Sequence, residues 1–317
     1  MAQANFTFDS YDASGNRESL SDVIYNIDPT ETPFMMMAGR GKAKQKFEEW
    51  QTDSLETPVA TNAVLEGDEA SFADPDPTVR LGNYTQISTK TIMISGTQEV
   101  VDKAGRKSEL AYQLARKSKS LKRDLETQLC DNKASVLGDA TTVRQSGSLR
   151  AWIATNDDLG AGAGASGGFS AGIVAAATAG TPRAFLESDL KTVIGNVWDS
   201  GGDPTTILVG KFNKRVLSGF TGNSTRFDRG EDKRLTAGID VYVSDFGDHR
   251  VVPSRFTTEA NAFVLTPRLW EVRYLRPFFQ HAIAKTGDAE KRQLLVEYTL
   301  CSKNEKGSGV IADLTTS

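Results

Sequence analysis

The most regular stretch of the chain is EVVDKAGRKSELAYQLARKSKSLKRDLETQLC, Glu99 to Cys130. Leu110, Leu114, Leu121, Leu125 and Leu129 fall within about 100° of arc when residues are set about 100° apart, which predicts one long amphipathic helix with a single buried stripe. The period changes elsewhere. YTQISTKTIMIS, Tyr84 to Ser95, is rich in β-branched residues and predicts a strand. KAKQKFEEWQTDSL, from Lys42, predicts its partner across a polar loop holding Pro58, Gly67, Pro75 and Pro77. The pair reads as a very long hairpin. A two-stranded ribbon is marginal alone in water, and a loop of this size inside a compact domain marks a binding excursion.

Before the hairpin no period holds. Residues 1–40 offer turns at Asn5, Asp9, Asp12, Gly15 and Asn16, while Pro29 and Pro33 forbid a continuous helix, so an extended arm is expected. Within it Phe34, Met35, Met36 and Met37 form an apolar plug with no local core to enter, and such a plug needs a receiving surface. The arm is expected to be held mainly by a partner surface, so removing residues 1–37 leaves a folded but assembly-defective chain. After residue 181, FLESDLKTVIGNVWDSGG and KFNKRVLSGF read as helices, TTILVG as a buried strand, and IDVYVSDFGDHRVVPS as a hairpin around Gly247 and Asp248. AFVLT, LWEVRYL and QLLVEYTLC close the chain as strands, punctuated by Pro253, Pro267 and Pro277. The expected class is α+β or α/β, with a mainly antiparallel sheet covered on one face by the leucine stripe.

Charge sharpens the picture at one place. Lys103 to Arg123 holds eight Lys/Arg and one acid, so this run carries +7 while the whole chain carries −4. Arg116, Lys119 and Arg123 share the face opposite the leucines. A solvated helix face and a surface aimed at an anionic partner both fit. The length of 317 residues points to two lobes or one lobe with large excursions, and the 25% charged fraction is that of an ordinary folded protein. No amino-terminal apolar run and no stretch of membrane-spanning length occurs, so neither export nor insertion is expected. Cys130 and Cys301, far apart and at no metal-ligand spacing, read as buried thiols of a reducing compartment.

Catalytic chemistry is thin. Residues 145–183 are rich in Gly, Ala, Ser and Thr, and read as a flexible surface loop. GAGASG, Gly162 to Gly167, matches the dinucleotide fingerprint but follows no strand. GFSAG matches a nucleophile elbow around Ser170, with His249 or His281 as a base on paper, but no buried strand leads into it. Both matches follow from composition, and the histidines read as surface and packing residues. No His-Glu-x-x-His, clustered Cys/His or phosphate-loop motif is present, so no cofactor, metal or catalytic residue is expected. Asn5, Asn83 and Asn223 sit in Asn-x-Ser/Thr triplets that carry no meaning without secretion.

The order of parts, and the stretches LSDVIYNIDPTETPF, EWQTDSL and GNYTQISTKTIMISGTQEVVDKAGRKSELAYQLARKSKSLKRD, resemble the major capsid proteins of tailed bacteriophages and prophages over nearly the whole chain, least around residues 55–80 and in the Gly/Ala tract. The resemblance implies the tailed-phage major capsid fold. Its parts would be an extended arm (1–40), a long β-hairpin or extended loop lying over a neighbour (41–97), a spine helix of a peripheral domain (98–144), an axial mixed α/β lobe (145–256) and peripheral strands (257–317). It implies a non-enzymatic protein that self-assembles through pentamers and hexamers into an icosahedral shell around double-stranded DNA, located in the virion and assembled in the host cytoplasm. On this reading Phe34, Met35, Met36, Met37, Phe47 and Trp50 are subunit-interface candidates, the plug docking on another copy or on the subunit's own spine. Arg116, Lys119 and Arg123 face the DNA without sequence-specific contacts, or pair with a neighbour's Glu66, Asp68 and Glu69. Some relatives carry an amino-terminal scaffolding segment that this sequence lacks, so a separate scaffold or none is expected, beside portal and decoration proteins and no membrane partner. A protein nanocompartment shell is the nearest alternative, and an enzyme built on Ser170 or the glycine loop is the remote one.

Overall fold

The computed structural model describes residues 31–69, 74, 76–162, 164–220 and 240–316. Asn5, Asn223 and the arm up to residue 30 lie outside the described residues. In chain order the first elements are α1 (Pro33–Met37), β1 (Gly39–Lys42), β2 (Phe47–Thr52), β3 (Val79–Tyr84), β4 (Gln86–Ser95), α2 (Gly96–Val100) and α3 (Glu109–Cys130). Then come α4 (Leu149–Trp152), β5 (Asp157–Asp158), β6 (Gly168–Ser170), β7 (Ile173–Ala175), α5 (Glu187–Asp199), β8 (Thr206–Val209) and α6 (Lys211–Ser218). The last are β9 (Val241–Ser244), β10 (Gly247–Pro253), β11 (Ala262–Leu265), β12 (Trp270–Ile283), β13 (Ala289–Ser302) and β14 (Gly309–Ile311).

Two sheets organise these elements. One has the order β1-β12-β13-β4, antiparallel except for β1 against β12, and α3 covers one of its faces. The leucine stripe does bury itself there, but unevenly. Leu121, Leu125 and Leu129 are fully buried, while Leu110 and Leu114 are only half-buried. The second sheet has the order β5-β14-β11-β8-β10-β9, with α5 packed across β14 and β5. Every residue of β8 is buried, as its uninterrupted apolar run requires. The boundary expected at residue 257 does not follow the sheets: β11 and β14 complete the second sheet, and only β12 and β13 return to the first.

Several local expectations are corrected. The helix expected from Glu99 onward is two helices. Gly105, at φ +74°, interrupts it, and Ser108 begins α3 by accepting from Ala111 N at 3.1 Å. The Glu99 carboxylate takes two further orphan donors of α3, Glu109 N at 3.0 Å and Leu110 N at 3.1 Å. The arm is not extended throughout, because residues 33–37 make one helical turn with Pro33 in its first position.

The long hairpin is shorter than its strands suggested. Only β2 and β3 pair, and the expected return strand leaves the ribbon after Tyr84 to run as β4 along β13. The reason lies in β4's alternation, which turns Ile92 and Ile94 toward a core that a free ribbon cannot supply. Pro277 does not end a strand. It sits within β12 where the register with β13 shifts between Arg276 and Phe279, a bulge that tolerates a missing N–H. The β9–β10 turn falls at Asp245 and Phe246, with Gly247 already paired opposite Ser244.

Candidate functional site

Of the apolar plug, Phe34 and Met35 are buried in the subunit's own core, Met37 packs half-buried against it, and Met36 alone stands 75% exposed. Phe34 meets Trp270 edge-on at 6.5 Å. The turn is fastened by one side chain. The buried carboxylate of Glu126, on α3, accepts from Phe34 N at 2.6 Å and Met35 N at 2.9 Å, satisfying two of the free donors of α1. Desolvation raises the Glu126 pKa to about 7, opposed by the two backbone donors. Phe34 and Met35 thus seat on the subunit's own spine, one of the two receiving surfaces expected for the plug.

Phe47 and Trp50 also pack inward, at the root of the hairpin. The Phe47 ring lies 4.5 Å from that of Tyr84 and across Gly82, where a Cβ would come within 2.5 Å of the ring. The Trp50 ring lies 5.5 Å from that of Trp152, tilted by 39°, and Trp152 is itself parallel to Phe169 at 5.8 Å. The Arg273 guanidinium lies 5.8 Å from the centre of the Trp50 ring and bridges Glu48 of β2, at 3.1 Å, to Glu271 of β12, at 3.3 Å.

Beneath the root lies a buried polar knot. Asn83 donates to Ser146 Oγ (3.2 Å), Gly147 O (3.1 Å) and Leu300 O (2.8 Å), and accepts from Gly147 N (2.8 Å). Two residues on, Thr85 Oγ1 donates to the buried Glu297 carboxylate at 2.9 Å, which also holds Arg276 at 2.7 Å and Arg144. Asn83→Ala is expected to cost on the order of 3 kcal/mol, because it takes from the buried Gly147 N and Leu300 O their side-chain partner, and denaturant unfolding of the unassembled subunit measures it. Sequence reasoning missed Asn83, Glu126 and Glu297. The one local signal was a carboxylate at 126 between the buried leucines 125 and 129.

On the opposite face of α3, Arg116 and Lys119 are exposed, and Arg123 is half-buried with its guanidinium 5.5 Å from the centre of the Phe256 ring. None of the three forms an ion pair, nor do Glu66, Asp68 and Glu69 of the hairpin, among the described residues. The three cations therefore share a face as the helical spacing predicted, with their charge uncompensated.

The enzyme candidates come apart. Ser170 ends β6 on the surface, and Ala171 (φ 51°) and Gly172 (φ 82°) turn the chain directly into β7, so GFSAG is a hairpin tip rather than a strand-to-helix elbow. Nor is the Gly/Ala tract a loose loop. Gly160, Gly164 and Gly180 close around Asp313, whose carboxylate accepts from Gly160 N at 2.9 Å, and a Cβ at Gly160 would meet Thr181 O at 2.3 Å. His249 is buried in the second sheet. Its Nδ1 faces Pro204 O at 2.5 Å, so Nε2 accepts from Ser244 Oγ at 2.7 Å, and desolvation lowers its pKa. His281 is exposed on β12, opposite Gln293. Cys130 and Cys301 are free and buried, with the Cys301 thiol pushed up to about 12 by desolvation. Among the described residues no group of His, Cys, Asp and Glu has the arrangement of a metal site, and no helix is long and apolar enough to cross a membrane.

A family model described as SU10 major capsid protein matches residues 3–315. The major capsid protein of Escherichia phage Phieco32 is 27% identical over 342 residues, covering 96% of each chain. Among solved structures, the Cyanophage A-1(L) capsid asymmetric unit superposes with a TM-score of 0.66 at 15% identity, covering 95% of this chain and 98% of that one. Gordonia phage Cozz follows at 0.61 and 11% identity, covering 99% and 98%. At these identities the structural matches establish a shared fold, and the fold is that of tailed-phage capsid proteins.

Proposed function

Because this chain belongs to the SU10 major capsid protein family and so builds the protein shell of a phage head, we propose how its surfaces divide that work. The family match carries the reading, since it runs through the arm, the hairpin, the spine helix and both sheets. It also favours the virus over the nanocompartment and gives the chain a structural, non-enzymatic place in the virion capsid. The subunits self-assemble as pentamers and hexamers in the host cytoplasm. Phe34 and Met35 fasten the arm to its own spine, and Phe47 and Trp50 fasten the hairpin root. The exposed Met36 and the hairpin beyond Thr52 are left to reach other copies. Scaffold, portal and decoration proteins complete the assembly, with no membrane partner.

Arg116, Lys119 and Arg123 line the inner wall and meet packaged double-stranded DNA. What supports this is their shared face and uncompensated charge, since phosphate contacts need cations but no fixed hydrogen-bond pattern. Changing all three to glutamine is expected to leave closed shells in electron micrographs while reducing DNA retention, most at raised ionic strength. Failure to form shells would instead assign the stripe to a subunit interface.

A further inference from the structure

A cavity of about 500 Å³ lies where the hairpin leaves its root. Thr52, Val79 and Leu81 of β2 and β3 form one wall, and Trp152, Phe169 and residues 304–306 form the other. Small-molecule sites span about 300–1,000 Å³ and are mainly apolar and aromatic with a few polar groups, which describes this lining. The glycine tract helps to build it. A Cβ at Gly167 would come within 2.6 Å of Ala151 O, and one at Gly168, at φ +111°, within 2.9 Å of the Ala154 Cβ, so only glycines let β6 lie this close to α4. That approach sets the Phe169 ring parallel to the Trp152 ring, with 4° between their planes.

The polar groups narrow the chemistry of an occupant. Trp152 is 1% exposed, and the indole N–H groups of Trp152 and of its neighbour Trp50 are buried with no acceptor among the described residues. Donors without partners cost free energy that an acceptor entering between hairpin and body recovers. Glu305 makes no demand for a cation, because its carboxylate already accepts from Ala154 N and Thr155 N, both at 3.3 Å, and from the Thr155 hydroxyl. At the mouth the exposed Asp53 and Lys306 offset each other. Flat rings, no net charge and one acceptor match this site.

We propose that the cavity binds a small, uncharged, flat ring compound carrying a carbonyl-type acceptor, placed against the Trp152–Phe169 wall with its oxygen toward the unpaired indole N–H groups. Such an occupant touches the hairpin and the body of the subunit together. It therefore fixes the angle at which the hairpin leaves its root. The site is complete within one subunit.

Coumarin, two fused flat rings with one carbonyl, serves as the probe. Titrated into the unassembled wild-type subunit, it should bind with a Kd of about 0.1–1 mM, as a ligand of its size allows. It should shift the Trp152 indole N–H resonance in a saturable way and slow amide exchange in β2 and β3. Indane, a similar outline without the carbonyl, should bind about tenfold more weakly, and Trp152→Phe, which keeps a ring but removes the donor, should weaken coumarin by a similar factor. Val79→Trp, at a position 59% exposed, narrows the mouth and should weaken coumarin by about tenfold or more while leaving the melting midpoint of the free subunit unchanged. Closed shells should retain the binding. Absence of saturable binding, equal affinity for indane, undiminished binding by Val79→Trp, or loss of the site in closed shells, which would give the cavity to a neighbouring copy, overturns the proposal.

Discussion

Phe34→Ala is expected to destabilise the unassembled subunit by about 3–5 kcal/mol, read as a fall in the denaturant midpoint at unchanged slope. The ring is 1% exposed, meets Trp270, and sits in the same apolar cluster as Leu125 and Leu129, so its loss opens a cavity among side chains held by three separate elements. The same residue alters the expected result of truncation. A deletion through Met37 removes Phe34 and Met35 and strips the buried Glu126 of both donors. It should therefore damage folding before assembly is at issue. A deletion ending at residue 30 keeps the turn and its carboxylate, and should cost less stability than the deletion through Met37. Equal stability of the two truncated chains would contradict the seating of α1.

Glu126 should also give the subunit a pH-dependent stability. Its folded pKa is raised to about 7 from the ordinary carboxyl value of 4.5, so between these values the folded chain binds more proton than the unfolded one. The associated stability is fully present below pH 4.5 and is lost as the pH rises through about 7. The amount is on the order of 3 kcal/mol. Glu126→Gln keeps one oxygen to accept from α1 and removes the titration. It should flatten this part of the profile while giving up about 1 kcal/mol of hydrogen bonding. Thermal melting of wild type and variant between pH 4 and 8 checks it, and parallel profiles would refute the assignment.

The fold was legible where the code is local. The leucine stripe of α3, the apolar run of β8 and the helix ending at Gly201 each follow from period and punctuation within a few residues. What escaped was long-range. Pro33 and Pro29 argued for extended chain, yet α1 forms because a carboxylate 91 to 92 residues away takes its donors. β4 looked like half of a hairpin because nothing in its own residues says that β13 is the neighbour. The last segment splits between two sheets because β11 pairs with β8 and β14, while β12 runs on to β13. Among the functional candidates, Arg116, Lys119 and Arg123 were visible because helical spacing alone sets their shared face. Phe34, Met35, Phe47 and Trp50 were visible as apolar side chains in search of a surface, but which surface each meets depends on strand pairings that no local pattern encodes. Asn83 appeared only as part of a triplet, since its partners lie 63 to 217 residues away.

The strand that returns from the hairpin has a mechanical consequence. β3 and β4 are one run of chain interrupted only by Thr85, the first half in the ribbon and the second laid along β13 from Gln86 opposite Tyr298 to Ser95 opposite Ala289. Tension on the tip, such as internal pressure would impose on neighbouring subunits, travels down β3 and enters β4 along its length. It then loads the β4–β13 ladder in shear, where its bonds must yield together, rather than peeling them open one at a time. Asn83 and the Glu297 cluster stand at the point where that load enters, tying the strand to the 146–147 segment, to Arg144 and to the neighbouring strands β12 and β13. A hairpin attached in this way acts as a tether whose strength is that of a sheet.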